Sequence, residues 1–263
     1  MRLRSWVISD RGGRAANEDA CGYLLSQRLG CWVVSDGAGG HENGAVASEL
    51  AVRTILRTFE LAPELSPDYL KRLLHTANEA LVAQRHEPAR GTGMRATAAM
   101  LIVDPVSKRA LWAHAGDTRI YFLRDARVVA YTRDHSVVQG LADAGYITQD
   151  RVRSHPNRST LVTALGEQYD FAPAVLTREL AVRPNDAFLI CTDGAWEHVL
   201  ERQIEDCLAS AASPEEWLRK LEASLLQVAP KGHDNYSLLG IWLEEDDPTA
   251  SSPDEEVTVM RLS

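Results

Sequence analysis

The sequence has few cysteines and no pattern among them. Cys21, Cys31, Cys191 and Cys207 form no CxxC pair and no zinc-like spacing, and 263 residues are enough to bury a core without disulfide staples. They read as reduced thiols. No apolar stretch approaches the length of a membrane span, and MRLRSWVISDRGGRAANED at the N-terminus holds no continuous apolar segment before its charges intervene. No membrane contact is expected, and the cytoplasm is the expected compartment. A basic excess is missing as well. Of the net charge of −9, residues 244–263 carry seven acids against Arg261, a net of −6 that leaves −3 for the first 243 residues. Nucleic acid and anionic membrane both need clustered Lys and Arg, so neither is an expected partner. The glycines of VVSDGAGGHENG (33–44) are not followed by Gly-Lys-Ser/Thr, which excludes a nucleotide-binding P-loop. No internal repeat is visible.

What is present is an ordinary globular composition, 45% hydrophobic and 25% charged, at a length that suits one large domain or two small ones. LGCWVVSD (29–36) is a continuous apolar run that suits a strand buried on both faces. Two helical patterns follow, over 45–60 and 67–85, the second opened by Ser66 as N-cap and Pro67 in the first turn. Residues 95–131 read as consecutive strands joined by short turns, a meander and therefore antiparallel. Residues 134–170 break that rhythm with short helical pieces and read as an excursion from the core. Strands resume with PAVLTRELAV and NDAFLICTDG, a capping box of Ser213, Pro214 and Glu216 opens a helix over about 214–229, and YSLLGIWL closes the fold. The acidic stretch after 243, with its prolines and serines, reads as a flexible tail. Grouped strands separated by helices favour an α+β sandwich of antiparallel sheets covered by helices.

Four aspartates fall at the tips of apolar strands: Asp36 after WVVS, Asp117 after LWAHAG, Asp193 after FLICT, and Asp234 in GHDN before the last strand. An Asp-Gly pair is by itself a common hairpin signal. Four acids in equivalent places point instead to a cation site, because clustered carboxylates repel unless a cation compensates them or some stay protonated. Oxygen ligands without Cys or His spacing select hard ions such as Mg²⁺ or Mn²⁺ over zinc.

RAANED (14–19), SDGAGGHENG (35–44), AHAGDTRIY (113–121), TLVTALG (160–166), CTDGAWE (191–197) and GHDNYS (232–237) resemble, in order and spacing, the motifs of bacterial type 2C metal-dependent protein serine/threonine phosphatases, across residues 14–243. The resemblance implies a four-layer α-β-β-α sandwich of two antiparallel sheets flanked by helix pairs, in a domain of residues 1–243 with a flap at about 134–170 and a tail at 244–263. It also implies a centre of two ions, Mn²⁺ or Mg²⁺, with a weaker third. Asp36 would bridge both ions, Gly37 would offer its carbonyl, and Asp193 and Asp234 would hold the other ion. Glu18 would act through water, Asp117 with Asp193 would form the third position, and Arg14 would receive the substrate phosphate. Asp19 would support the centre through hydrogen bonds. The implied reaction is hydrolysis of phosphoserine and phosphothreonine monoesters in proteins by a metal-activated water, opposing a bacterial kinase, in a monomer.

Two positions depart from the family. Where eukaryotic members carry a histidine as proposed general acid, this chain has Ala38, and His41 in the same loop is a candidate proton donor or a helix cap. The usual Gly-Thr-Thr segment appears as GMRATAA, which keeps Thr97 and inserts Arg95 without an evident role. The rival functions are a phosphohydrolase of a small metabolite, using the same carboxylates, and a non-catalytic phosphoprotein-binding module, which would require the acids to be lost.

Overall fold

The computed structural model of the chain describes residues 1–26, 28–38, 42–84, 94–246 and 257–258. In chain order the elements are β1 (Arg2–Asp10), β2 (Asp19–Leu25), β3 (Gly30–Ala38), α1 (Glu42–Leu61), α2 (Pro67–Gln84), β4 (Arg95–Ala96), β5 (Ala98–Asp104), β6 (Arg109–Ala115), β7 (Arg119–Arg124) and β8 (Arg127–Tyr131). There follow α3 (Val137–Asp143), α4 (Gln149–Val152), β9 (Ala174–Val175), β10 (Leu180–Ala181), β11 (Ala187–Cys191), α5 (Asp193–Trp196), α6 (Glu201–Ala209), α7 (Pro214–Val228), β12 (Tyr236–Glu244) and β13 (Val257–Thr258). One sheet runs β1-β12-β11-β7-β8; the other runs β10-β6-β5-β3-β2-β13, with β4 on β3 and β9 on β6. All pairings are antiparallel.

The apolar run of β3 is continuous because the strand is covered on both faces. Cys31 and Val33 pack among Ile55, Phe59, Leu70 and Leu73 of α1 and α2, whereas Trp32 and Val34 turn to the other sheet, among Phe122, Phe188, Ile190 and Leu239. Alternation survives inside the run as a choice between two apolar environments. β11 repeats the logic from the opposite side: Phe188 and Ile190 face the sheet that holds β3, and Leu189 and Cys191 face Trp217, Leu218 and Leu221 of α7. Helices, sheet, sheet and helices therefore stack in four layers, as expected, with α1 and α2 on one outside and α6 and α7 on the other.

The helix starts follow their sequence signals. Ser66 Oγ accepts from Tyr69 N at 3.2 Å ahead of α2, and Ser213 Oγ accepts from Glu216 N at 3.1 Å ahead of α7. The Glu216 carboxylate reaches back to Ala212 N at 2.8 Å, one residue before the cap, so the expected box is displaced by one position.

Four expectations need correction. The meander of 95–131 is split: β5 and β6 pair with each other, β7 and β8 pair with each other, and the chain changes sheets between β6 and β7, across Gly116 to Thr118. RATAAMLIVD is not one strand but breaks at Thr97, whose hydroxyl is used elsewhere. NDAFLICTDG stops as a strand at Cys191, and Asp193 opens the helical turn α5. PAVLTRELAV yields only the two-residue strands β9 and β10, both on β6. Helix α6 had no sequence-level expectation.

Residues 134–170 hold α3 and α4, and return to the core where Ala96 and Leu165 exchange backbone hydrogen bonds of 3.2 and 2.7 Å. Buried Asn78 of α2 holds this return, accepting from Gly166 N at 2.7 Å and donating to Glu167 O at 2.9 Å. Of the segment expected as a tail, Val257 and Thr258 lie antiparallel to Leu24 and Tyr23; residues 247–256 and 259–263 lie outside the described residues.

Candidate metal centre

One end of the sandwich collects the strand tips. β3 ends there beyond Asp36, β6 and β7 change sheets there around Asp117, β11 ends just before Asp193, and β12 begins just after Asp234. These four aspartates, with Arg14, Glu18 and Gly37, line a single cavity of about 620 Å³. His41 lies outside the described residues, as do Gly39 and Gly40. Every other expected site residue meets at this cavity.

The supports of these side chains explain local choices in the sequence. Asp36 N donates to Thr97 Oγ1 at 2.9 Å, Thr97 N donates to Asp36 O at 2.8 Å, and Thr97 Oγ1 lies 2.6 Å from Thr118 Oγ1. The strand break at Thr97 thus fixes Asp36 and the 117–118 turn together. Trp196 Nε1 donates to Asp117 O at 2.8 Å, tying the turn that begins at Asp193 to Asp117. Two residues past Asp117, Arg119 is buried and grips Asp134 through two hydrogen bonds of 2.8 Å while lying 3.7 Å from the Trp196 ring centre. The base of the flap is thereby fastened to the same corner.

Asp19, expected to act through hydrogen bonds, makes two of them. It stands opposite Asp36 in the β2–β3 register, and its Oδ2 accepts from Thr192 Oγ1 at 2.9 Å and Ser237 Oγ at 2.7 Å. Asn235, which sequence reasoning quoted without giving a role, fastens the Arg14 loop. It donates to Arg11 O at 2.9 Å and Ala16 O at 2.8 Å, and accepts from Glu18 N at 2.8 Å.

Gly44 was also missed. A Cβ there would fall 1.9 Å from Glu18 Oε2 and 2.8 Å from Gly37 O, so the residue must lack a side chain for the carboxylate and carbonyl to approach. The signal was in the sequence, in the ENG that opens α1, but its meaning depends on Glu18, far away in the chain.

The electrostatics suit a cation. Burial and then the carboxylates of Asp19, Asp193 and Asp117 hold Asp36 well above the usual carboxylate range, and burial with Asp117, Glu197 and Asp234 does the same to Asp193. Burial and Asp134 raise Asp117 to about 7, and burial, with smaller contributions from Asp234 and Glu18, raises Asp19 to about 7. Asp19 Oδ1 is buried with no hydrogen-bond partner among the described residues. Arg14 Nη2 lies 2.7 Å from Asp234 Oδ2 at the exposed rim and relieves only that carboxylate directly. An oxygen-only donor set under mutual repulsion, with a cradle that a single Cβ would fill, fits a hard divalent ion. Among the described residues no three Asp, Glu, His or Cys side chains close around one point. Backbone carbonyl and water would therefore complete the coordination, as Mg²⁺-type ions commonly require.

The Protein phosphatase 2C family model matches residues 9–228. The serine/threonine protein phosphatase PstP of Mycobacterium tuberculosis is 33% identical over 227 residues, covering 85% of this chain and 42% of PstP, so the chain spans under half the length of that relative. The catalytic domain of PstP in complex with 2 manganese ions superposes with a TM-score of 0.76 at 28% identity, covering 92% of this chain and 99% of that one. PppA, a key regulatory component of T6SS in Pseudomonas aeruginosa, gives a TM-score of 0.76 at 30% identity, covering 92% and 98%. A four-layer sandwich, an acidic cavity at its strand tips and a family match over most of its length lead to one assignment: the chain belongs to the protein phosphatase 2C family.

Proposed function

We propose that the chain hydrolyses phosphoserine and phosphothreonine monoesters in proteins, with two divalent ions, Mn²⁺ or Mg²⁺, held in the acidic cavity. The observation that carries the reading is the meeting of Arg14, Glu18, Asp36, Gly37, Asp117, Asp193 and Asp234 at one cavity from five separate stretches of chain. The manganese ions of the PstP catalytic domain support the choice of metal.

In this reading Asp36 would serve both ions, the Gly37 carbonyl would join it, and Asp193 and Asp234 would hold the second ion. Glu18 acts through water, and Asp117 with Asp193 offers the weaker third position. When bound, the ions supply a water deprotonated at neutral pH and positive charge for the phosphoryl oxygens. Arg14 orients the substrate by turning its guanidinium from Asp234 to two phosphate oxygens, a fork that a lysine would not reproduce. Asp19, Thr97 and Asn235 keep the carboxylates in place, which matters because small displacements of reacting groups cost large factors in rate. Ala38 has no proton to give the leaving serine or threonine oxygen.

The partners of this reading are a bacterial Ser/Thr kinase or its phosphorylated substrates, met in the cytoplasm by a monomer. No described helix is long and apolar enough to cross a membrane. The test is hydrolysis of a phosphothreonine peptide with Mn²⁺, Mg²⁺ or EDTA, beside Asp36→Asn and Asp193→Asn. Activity should require metal and fall to background in both variants; turnover that survives EDTA or both substitutions overturns the two-metal reading.

A further inference from the structure

Arg95 is the basic residue of the cavity that the proposed reaction leaves without work. Strand β4 carries it alongside Ala38, one residue past the Gly37 carbonyl, and the next residue, Ala96, pairs with Leu165 at the return of the flap. The side chain therefore stands where the acidic centre meets the flap wall of Ser159, Thr160 and Leu161, and lines the cavity with them. It is 47% exposed, and its nearest carboxylate, Glu167, is 3.9 Å away, too long for a hydrogen bond. Among the described residues no group accepts a hydrogen bond from its guanidinium.

Arg14 occupies a different wall. Its loop is fastened by Asn235 beside Asp234, at the end of the five-stranded sheet, whereas Arg95 belongs to the eight-stranded sheet and the flap. A phosphate monoester held by the ions and Arg14 has no need of a second guanidinium on the opposite rim. A neighbouring side chain of the substrate, carried toward the flap, would meet that rim, where a guanidinium with one loose ion pair and no hydrogen-bonded acceptor among the described residues favours a carboxylate by charge and by its planar fork.

We propose that Arg95 is a specificity-determining residue that pairs with an acidic side chain flanking the phosphorylated residue, so that the preferred substrates are phosphopeptides with aspartate or glutamate beside the phosphoserine or phosphothreonine. This rests on the phosphatase reading above.

The experiment measures kcat/KM with Mn²⁺ for the wild type, Arg95→Gln and Arg95→Lys on three substrates: a phosphothreonine peptide with acidic flanks, the same peptide with alanine flanks, and para-nitrophenyl phosphate. The wild type should prefer the acidic peptide by about five- to tenfold, as one partly exposed charge-assisted contact allows. Added salt should shrink that preference. Arg95→Gln should abolish it while leaving the alanine peptide and para-nitrophenyl phosphate within about twofold, and Arg95→Lys should retain part of it. An unchanged preference in Arg95→Gln, or an equal loss on all three substrates, overturns the role of Arg95. Absence of metal-dependent hydrolysis of every substrate by the wild type overturns instead the phosphatase reading itself.

Discussion

Asp19 is not itself an expected ion ligand, yet the end of β11 and the start of β12 are joined through it. Its Oδ2 takes hydrogen bonds from Thr192, next to Asp193, and from Ser237, inside β12. Asp19→Ala should leave the buried Thr192 hydroxyl without its acceptor, Ser237 Oγ keeping only Ser9 Oγ at 2.8 Å, and cost about 1–3 kcal/mol in urea unfolding; a change below about half a kcal/mol would mean that the Thr192 hydroxyl finds another acceptor. Gly44 acts through space alone. Gly44→Ala must push Glu18 or the Gly37 carbonyl away, and Mn²⁺ affinity by calorimetry should fall by about 10- to 100-fold, the usual effect of disturbing groups around a metal ligand. Unaltered affinity would place Glu18 and Gly37 O outside the ion's reach. The aspartates were legible in the sequence because each follows or precedes an apolar strand. Gly44 and Asn235 were not, because both are defined by partners far along the chain.

At the scale of elements, the excursion is attached to the centre through charge buried among rings. Arg119 of β7 is clasped by Asp134 at the foot of the flap, between Trp196 and Tyr131. Asp134→Ala would strand a buried guanidinium, so the cost should be about 3–5 kcal/mol by denaturant titration, with weakened Mn²⁺ binding alongside. A loss under about 1 kcal/mol would show that water reaches Arg119. Helices α2 and α7 were legible because their caps are local: Ser66 and Ser213 announce them within four residues. The sheet change at Gly116 to Thr118 was not, since GDT between two apolar strands has the chemistry of a hairpin turn. Only the partners of β6 and β7 distinguish the two, and those lie in other segments.

At the scale of the molecule, the acidic end links stability to pH. Asp19 and Asp117 rise from an ordinary 3.8 to about 7 in the fold. Each therefore favours the native state most when protonated; that contribution is full below the ordinary value and is lost as pH climbs through about 7. Metal-free protein should lose stability from these groups across that interval, whereas an ion that binds ionised carboxylates gains affinity. The gap in Tm between Mn²⁺-loaded and EDTA-treated samples should widen from about pH 5 to about pH 8; a constant gap would mean that these carboxylates do not couple to the ion. The sandwich as a whole was legible from grouped strands and paired helices, but its split between sheets was not. The carboxylates of this end are divided between the two sheets, Asp36 in β3 of one and Asp193 and Asp234 just beyond the ends of β11 and β12 of the other. A cation among them is thus a fastener across the seam of the sandwich, and its removal should quicken amide exchange at Val34 and Leu238 while leaving Ile102 and Ile241, farther along the same sheets, as slow as before.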